Sequence, residues 1–160
     1  MSLETRLAEM GYELPAPFRF PKGNRTGCVV VDRLILVSGH GRDLPPLPGV
    51  VAKGKLGGDV TVEQGYATAR ATALSILASL KQEVGDLDRI ARVVRLFGMV
   101  NVAPGFDRMP EVIDGASDFL FELFGPERGR HARSAVGMAE LPHGIAVEIN
   151  AEFELLDRTR

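Results

Sequence analysis

From Ile145 to Leu155 every second residue is apolar, and from Glu148 onward the residues between them are polar. Ile145, Val147, Ile149, Ala151, Phe153 and Leu155 fall on one side; Ala146, Glu148, Asn150, Glu152 and Glu154 fall on the other. A period of two over eleven residues fits a β-strand with one face on a core and the other turned away from it. Such a strand needs a covering layer on its apolar side.

Helical patterns supply that layer. Thr61-Val62-Glu63-Gln64 reads as a capping box, with a hydroxyl at the N-cap and an amide three residues on. Ala67, Ala71, Leu74, Ala78 and Leu80 follow at helical spacing, and Gly85 supplies a stop. A second helix is expected from near Asp107, with Pro110 in its first turn and Gly125-Pro126 at its end. Its apolar face is Val112, Ala116, Phe119, Leu120 and Leu123.

The remaining segments read as strands and connections. Val29–Val31 and Leu34–Val37 are short strands joined at Asp32-Arg33, the second running into Ser38-Gly39-His40-Gly41. Residues 89–102 fit either a helical stripe or a strand; their β-branched residues and interior Gly98 favour a strand. Arg133–Ala139 is another strand, and Leu141-Pro142-His143-Gly144 a turn. Residues 42–58 are loop, either a flexible flap or a variable surface connection. The expected architecture is α+β, in the order β-β-α-β-α-β-β, with a mixed sheet and two helices packed on one face. Residues 1–160 form one domain, of which 1–22 are an N-terminal extension: a short helix over 2–11, then an extended proline-bearing arm.

Composition narrows the function. Hydrophobic residues are 45% and charged residues 25%, as in ordinary globular domains, and the formal net charge is −2. That balance offers no electrostatic grip on a phosphate backbone, which argues against a nucleic-acid partner. The lone Cys28, in Gly-Cys-Val-Val-Val, reads as an inert core thiol. No Cys/His cluster has metal-ligand spacing, the N-terminus lacks a signal-peptide pattern, and no apolar run approaches the ~20 residues of a membrane span. A cytoplasmic protein is expected.

Candidate chemistry gathers near the C-terminus. If Val136 and Met138 are core, Arg133 shares the outer face with Glu148. A tight turn at Pro142-His143 then sets Glu148 opposite Gly137, leaving a groove over Ala135 and Gly137 between a guanidinium and a carboxylate. The pair reads either as an anion-plus-base site or as solvated surface charge of little energetic consequence. His131 reads as a positioning or surface group more readily than as a general acid, since no Ser-His-Asp or Cys-His order accompanies it. His40 lines a pocket or lies in a loop; His143 is exposed in a turn.

These residues also carry a resemblance. Ala132-Arg133-Ser134-Ala135-Val136-Gly137-Met138-Ala139-Glu140-Leu141-Pro142, followed by Val147-Glu148-Ile149, resembles the C-terminal signature of the RidA/YjgF family of reactive imine and enamine deaminases, also called endoribonuclease L-PSP. Leu36-Val37-Ser38-Gly39-His40 resembles its first motif; Gly85-Asp86-Leu87-Asp88-Arg89 and Phe106-Asp107 resemble its central ones. The similarity covers roughly residues 22–156.

The resemblance implies a chorismate-mutase-like fold, assembled as a homotrimer with a cleft between subunits. It implies a cofactor-free hydrolase that converts 2-imino or 2-enamino acids to 2-oxo acids and ammonia. Arg133 takes the substrate carboxylate, Glu148 activates water, and the backbone at Gly39 and Ala135, with Ser38, holds substrate and water. Three positions depart from the family pattern: Arg25 stands for a tyrosine, Gly115 falls near an asparagine, and Ala135 replaces a cysteine. They imply a divergent subgroup, with a different substrate or weak deaminase activity. A trimer that binds small carboxylates without turnover is the alternative. RNA cleavage rests only on the family's second name.

Overall fold

In the computed structural model, which describes residues 1–157, the alternating segment is strand β5 (Val147–Leu155). Its Val147, Ile149, Ala151, Phe153 and Leu155 are buried, while the intervening residues lie half-exposed. Four more strands join it: β1 (Cys28–Val31), β2 (Leu34–His40), β3 (Ile90–Asn101) and β4 (Ala132–Met138). The sheet order is β1-β2-β5-β3-β4, antiparallel throughout except for the parallel β3–β4 pair. Helices α2 (Val62–Val84) and α3 (Met109–Arg128) pack on one face, and the short α1 (Leu3–Glu9) sits at the end of that layer.

Local chemistry sets the element ends. The Thr61–Gln64 capping box forms in both directions, and Gly85 caps α2 with φ 82°. Ser2 caps α1, which buries Leu3 and Leu7 and is tied down by Leu3 N–H donating to Asp88 at 2.8 Å and by a Lys81–Glu4 ion pair. The N-terminal helix is therefore part of the core layer. Helix α3 does not stop at Gly125-Pro126. Gly125 swings to φ 84°, ψ 171°, and one further turn reaches Arg128, whose guanidinium donates to the carbonyls of Ile90 and Ala91.

Sheet order corrects one expectation. β4 and β5 are not a hairpin, although the Pro142–Gly144 turn between them exists, because β3 lies between them. The reason lies in β3. Its last four residues, Gly98 to Asn101, are all buried, the signature of a central strand that needs a neighbour on each edge. The α3 crossover delivers β4 to one edge, and β5 takes the other.

Side-chain direction follows from this order. Arg133 pairs with Leu96 and so points to the helix face. Val136 and Met138 pair with Met99 and Asn101 on the open face, where they pack with Met99, Leu141 and Ile145 in a cluster separate from the main core. Val136 and Met138 are not the core side of β4, and Arg133 and Glu148 occupy opposite faces of the sheet.

Helices α2 and α3 come into close contact at Gly115, where an added Cβ would lie 2.0 Å from the Tyr66 carbonyl oxygen. Gly115→Ala should therefore destabilise the fold by about 1–3 kcal/mol or more through forced separation of the helices. Urea unfolding of the variant measures this; wild-type stability would contradict the packing assignment.

Candidate functional site

Glu148 lies on the open face of β5, between β2 and β3. A register shift between Val37 and His40 makes β2 bulge there, and a Cβ at Gly39 would come within 2.8 Å of Glu148 Oε2. The missing side chain at Gly39 is what leaves room for the carboxylate. Glu148 faces a cavity of about 110 Å³ whose walls include Phe18, Phe20, Arg25, Gly39, His40 and Arg42. Burial pushes the Glu148 carboxyl above the usual carboxylate range, which favours its acting as a proton acceptor.

His40 closes the inner wall. It is buried, its Nδ1–H donates to the Ser38 carbonyl at 2.6 Å, and its Nε2 accepts from Ser79 Oγ at 2.8 Å. A carbonyl can only accept, so the proton sits on Nδ1. Burial lowers the His40 pKa, so the ring is neutral and both nitrogens are engaged. Phe18 and Phe20 stack edge-on against each other and against this ring. The arm is thus a wall of the cavity; its Phe-x-Phe between prolines was the signal for that role.

Arg133 belongs to a second locus. Its Nη1 donates to Asp114 Oδ1 at 2.6 Å and to Ser117 Oγ at 3.2 Å, both on α3. Ser117 in turn donates to His131 Nε2 at 2.9 Å, and His131 Nδ1–H donates to the Gly129 carbonyl at 2.7 Å. His131 thereby positions Arg133 through Ser117, and Asp114 and Ser117 join the candidate site although their place beside Arg133 was not foreseen from the sequence. Their signal was a polar pair three residues apart on one helix, each preceded by an apolar residue, Ile113 and Ala116.

The structure places the seven candidates in two groups and two outliers. Glu148, Gly39 and Arg25 meet in one cavity. Arg133 and Ala135 share the helix face of β4. Ser38 points away from the cavity, donating to the Thr26 carbonyl at 2.6 Å. Gly115 is buried between helices.

The 42–58 loop is anchored along its second half. Val51 N–H donates to Thr68 Oγ1, Gly54 N–H to the Gly144 carbonyl and Leu56 N–H to the Asn101 carbonyl. Leu56 is fully buried, so a flap over the whole span is ruled out by its own hydrogen bonds. Burial raises the Cys28 thiol to about 12, leaving no thiolate at neutral pH. Among the described residues no group of three or more His, Cys, Asp or Glu could hold a metal ion, and no helix is long and apolar enough to cross a membrane.

Residues 4–147 match the family described as "YjgF/chorismate_mutase-like, putative endoribonuclease". The chain belongs to the YjgF/chorismate mutase-like family. The match reaches back into α1, further than the 22–156 span legible in the motifs. Protein TCP17 of Trypanosoma cruzi is 43% identical over 150 residues, covering 93% of this chain and 91% of that one. The crystal structure of Atu1372 from Agrobacterium tumefaciens, a protein of unknown function, is 40% identical with a TM-score of 0.83, covering 96% and 92% of the two chains. A "putative endoribonuclease" structure from Shewanella oneidensis MR-1 is 36% identical with a TM-score of 0.87, covering 97% of this chain and 100% of that one. The YjgF-like chain therefore sits in a divergent branch.

Because the folded Glu148 pKa lies above its unfolded value, the folded state binds this proton more tightly. Stability from that group is present below the usual carboxylate pKa and is lost as pH rises through the raised one. Glu148→Gln should consequently unfold at a higher temperature than wild type at pH 7, the gap closing below about pH 4. Calorimetric melts across that range check it; a gap that widens on acidification would contradict the burial of the carboxyl.

Proposed function

We propose that this YjgF-like protein hydrolyses 2-imino and 2-enamino acids to 2-oxo acids and ammonia, in clefts between the subunits of a homotrimer. The observation that carries the reading is the separation of Arg133 from Glu148. They lie on opposite faces and two strands apart, about 10 Å at the usual strand spacing. No small 2-imino acid touches both within one chain. Two copies, with the helix-face edge of one β4 set against the open face of another, bring the pair together.

The open face supports such assembly. Val29, Val31, Leu34 and Leu36 project from it, Val31 being 56% exposed, and the Met99–Val136–Met138 cluster lies at its other end. Apolar surface of this kind marks an interface. Both bonds of Arg133 use Nη1, so its Nε–Nη2 edge presents the parallel pair of donors that a carboxylate fits.

The chemistry then balances without a cofactor. Arg133 holds the substrate carboxylate. Glu148 takes a proton from water as the water oxygen bonds to the imine carbon. That proton passes to nitrogen to give a carbinolamine. Glu148 then takes the hydroxyl proton and returns it to the amine as the carbonyl forms, the carbon–nitrogen bond breaks, and ammonia leaves a 2-oxo acid. A second reading, binding without turnover, is favoured by one feature: His40, the histidine in the cavity wall, has both nitrogens committed and cannot protonate a leaving amine.

Imines generated by an amino-acid oxidase or a threonine dehydratase should decay faster with the protein present, across several precursors. Calorimetric binding of 2-oxo acids without faster decay would select the second reading, and neither effect would overturn both. Arg133→Lys keeps the charge but loses the planar fork. In a variant that remains assembled by size-exclusion chromatography, affinity for 2-oxo acids should fall roughly tenfold or more, ~1.5–3 kcal/mol. Unchanged affinity would remove the anchoring role.

A further inference from the structure

The Glu148 cavity holds more positive charge than a monocarboxylate substrate requires. Arg25 and Arg42 both line it. Arg25 donates to Asn24 Oδ1 at 2.9 Å, and the Arg42 guanidinium lies over the Phe18 ring, 5.7 Å from its centroid. Among the described residues neither arginine has a carboxylate within ion-pair distance. The cavity adjoins a second, of about 290 Å³, and Gly41, Arg42 and Ile145 belong to both walls. That outer chamber adds Lys53 and His143, with Asp43 as its one acid. Arg42 therefore stands at the junction, half-buried, with cationic groups on either side.

This charge has a consequence for the substrate, resting on the deaminase-type reading of the site. If the reacting carboxylate is held by Arg133 of a neighbouring copy, Arg25 and Arg42 are surplus to it. They also line the same cavity as Glu148, so a substrate bound there meets them as well. The Phe18 face under Arg42 fixes the guanidinium plane and lowers the entropy lost when it grips an anion. We propose that the site is built for 2-imino or 2-oxo acids carrying a second carboxylate at the far end, and that Arg42 is the residue that receives it.

Isothermal calorimetry with 2-oxoglutarate, oxaloacetate and 2-oxobutyrate tests this on the assembled wild-type protein. The dicarboxylates should bind roughly tenfold or more tightly than 2-oxobutyrate, the worth of one charge-assisted hydrogen bond. Arg42→Gln should abolish most of that preference, and Arg25→Gln should reduce it, both checked for an unchanged elution volume. Equal wild-type affinity for mono- and dicarboxylates would overturn the inference while leaving the carboxylate site intact. A preference that survives in Arg42→Gln would overturn the assignment to Arg42. Absence of binding by any of the three acids would overturn this inference; the function on which it rests falls with it only if imine decay is not accelerated either.

Discussion

Strand β5 pairs with β2 on one edge and β3 on the other, and its alternating side chains divide the molecule into two unlike halves. Its apolar side completes the main core under α2 and α3. Its polar side carries Glu148, at the level where β2 bulges around Gly39. A slip of one residue would exchange the two faces, burying Glu148, Glu152 and Glu154 beneath the helices. The heavy desolvation cost of those carboxylates holds the register, and the register holds the site.

The two candidate loci differ in electrostatic character. Arg133 is held inside its own chain through Nη1 by Asp114 and Ser117, and the Ser117–His131–Gly129 chain keeps its direction fixed. Glu148 is half-buried with its pKa raised, beside arginines that lie around the cavity without pairing to it. An oriented cation and a carboxyl inclined to take a proton are complementary, yet the fold of one chain keeps them apart. The exposed valines and leucines of β1 and β2 lie on the same face as Glu148, so the surface that invites a second copy also surrounds the carboxylate.

Much of this architecture was legible in the residues. The capping box at Thr61, the strand character of 89–102 and the sidedness of β5 all rest on local chemistry, which one chain segment displays by itself. Neighbour relations do not. Alternation tells which residues share a face, but not which strand lies alongside, and the inferred β4–β5 hairpin failed for that reason. Val136 and Met138 pointed the same way: apolar residues mark a covered face, and on β4 that face is the open one, covered in the chain only by a small methionine-rich cluster. The walls of the cavity were hidden by a different effect. Phe18, Phe20 and Arg25 lie in a proline-bearing arm with no periodicity, so their place is set by tertiary packing on His40.

The central claim is that Arg133 of one copy and Glu148 of another complete a single site. Subunit mixing tests it directly. Arg133→Ala and Glu148→Ala chains, each lacking imine hydrolysis, are co-refolded in equal amounts and assayed. Random assembly places an intact Arg133 against an intact Glu148 in about one quarter of clefts, so about one quarter of wild-type activity should return. Mixed assemblies that form, by mass, yet stay as inactive as either parent would contradict a shared site.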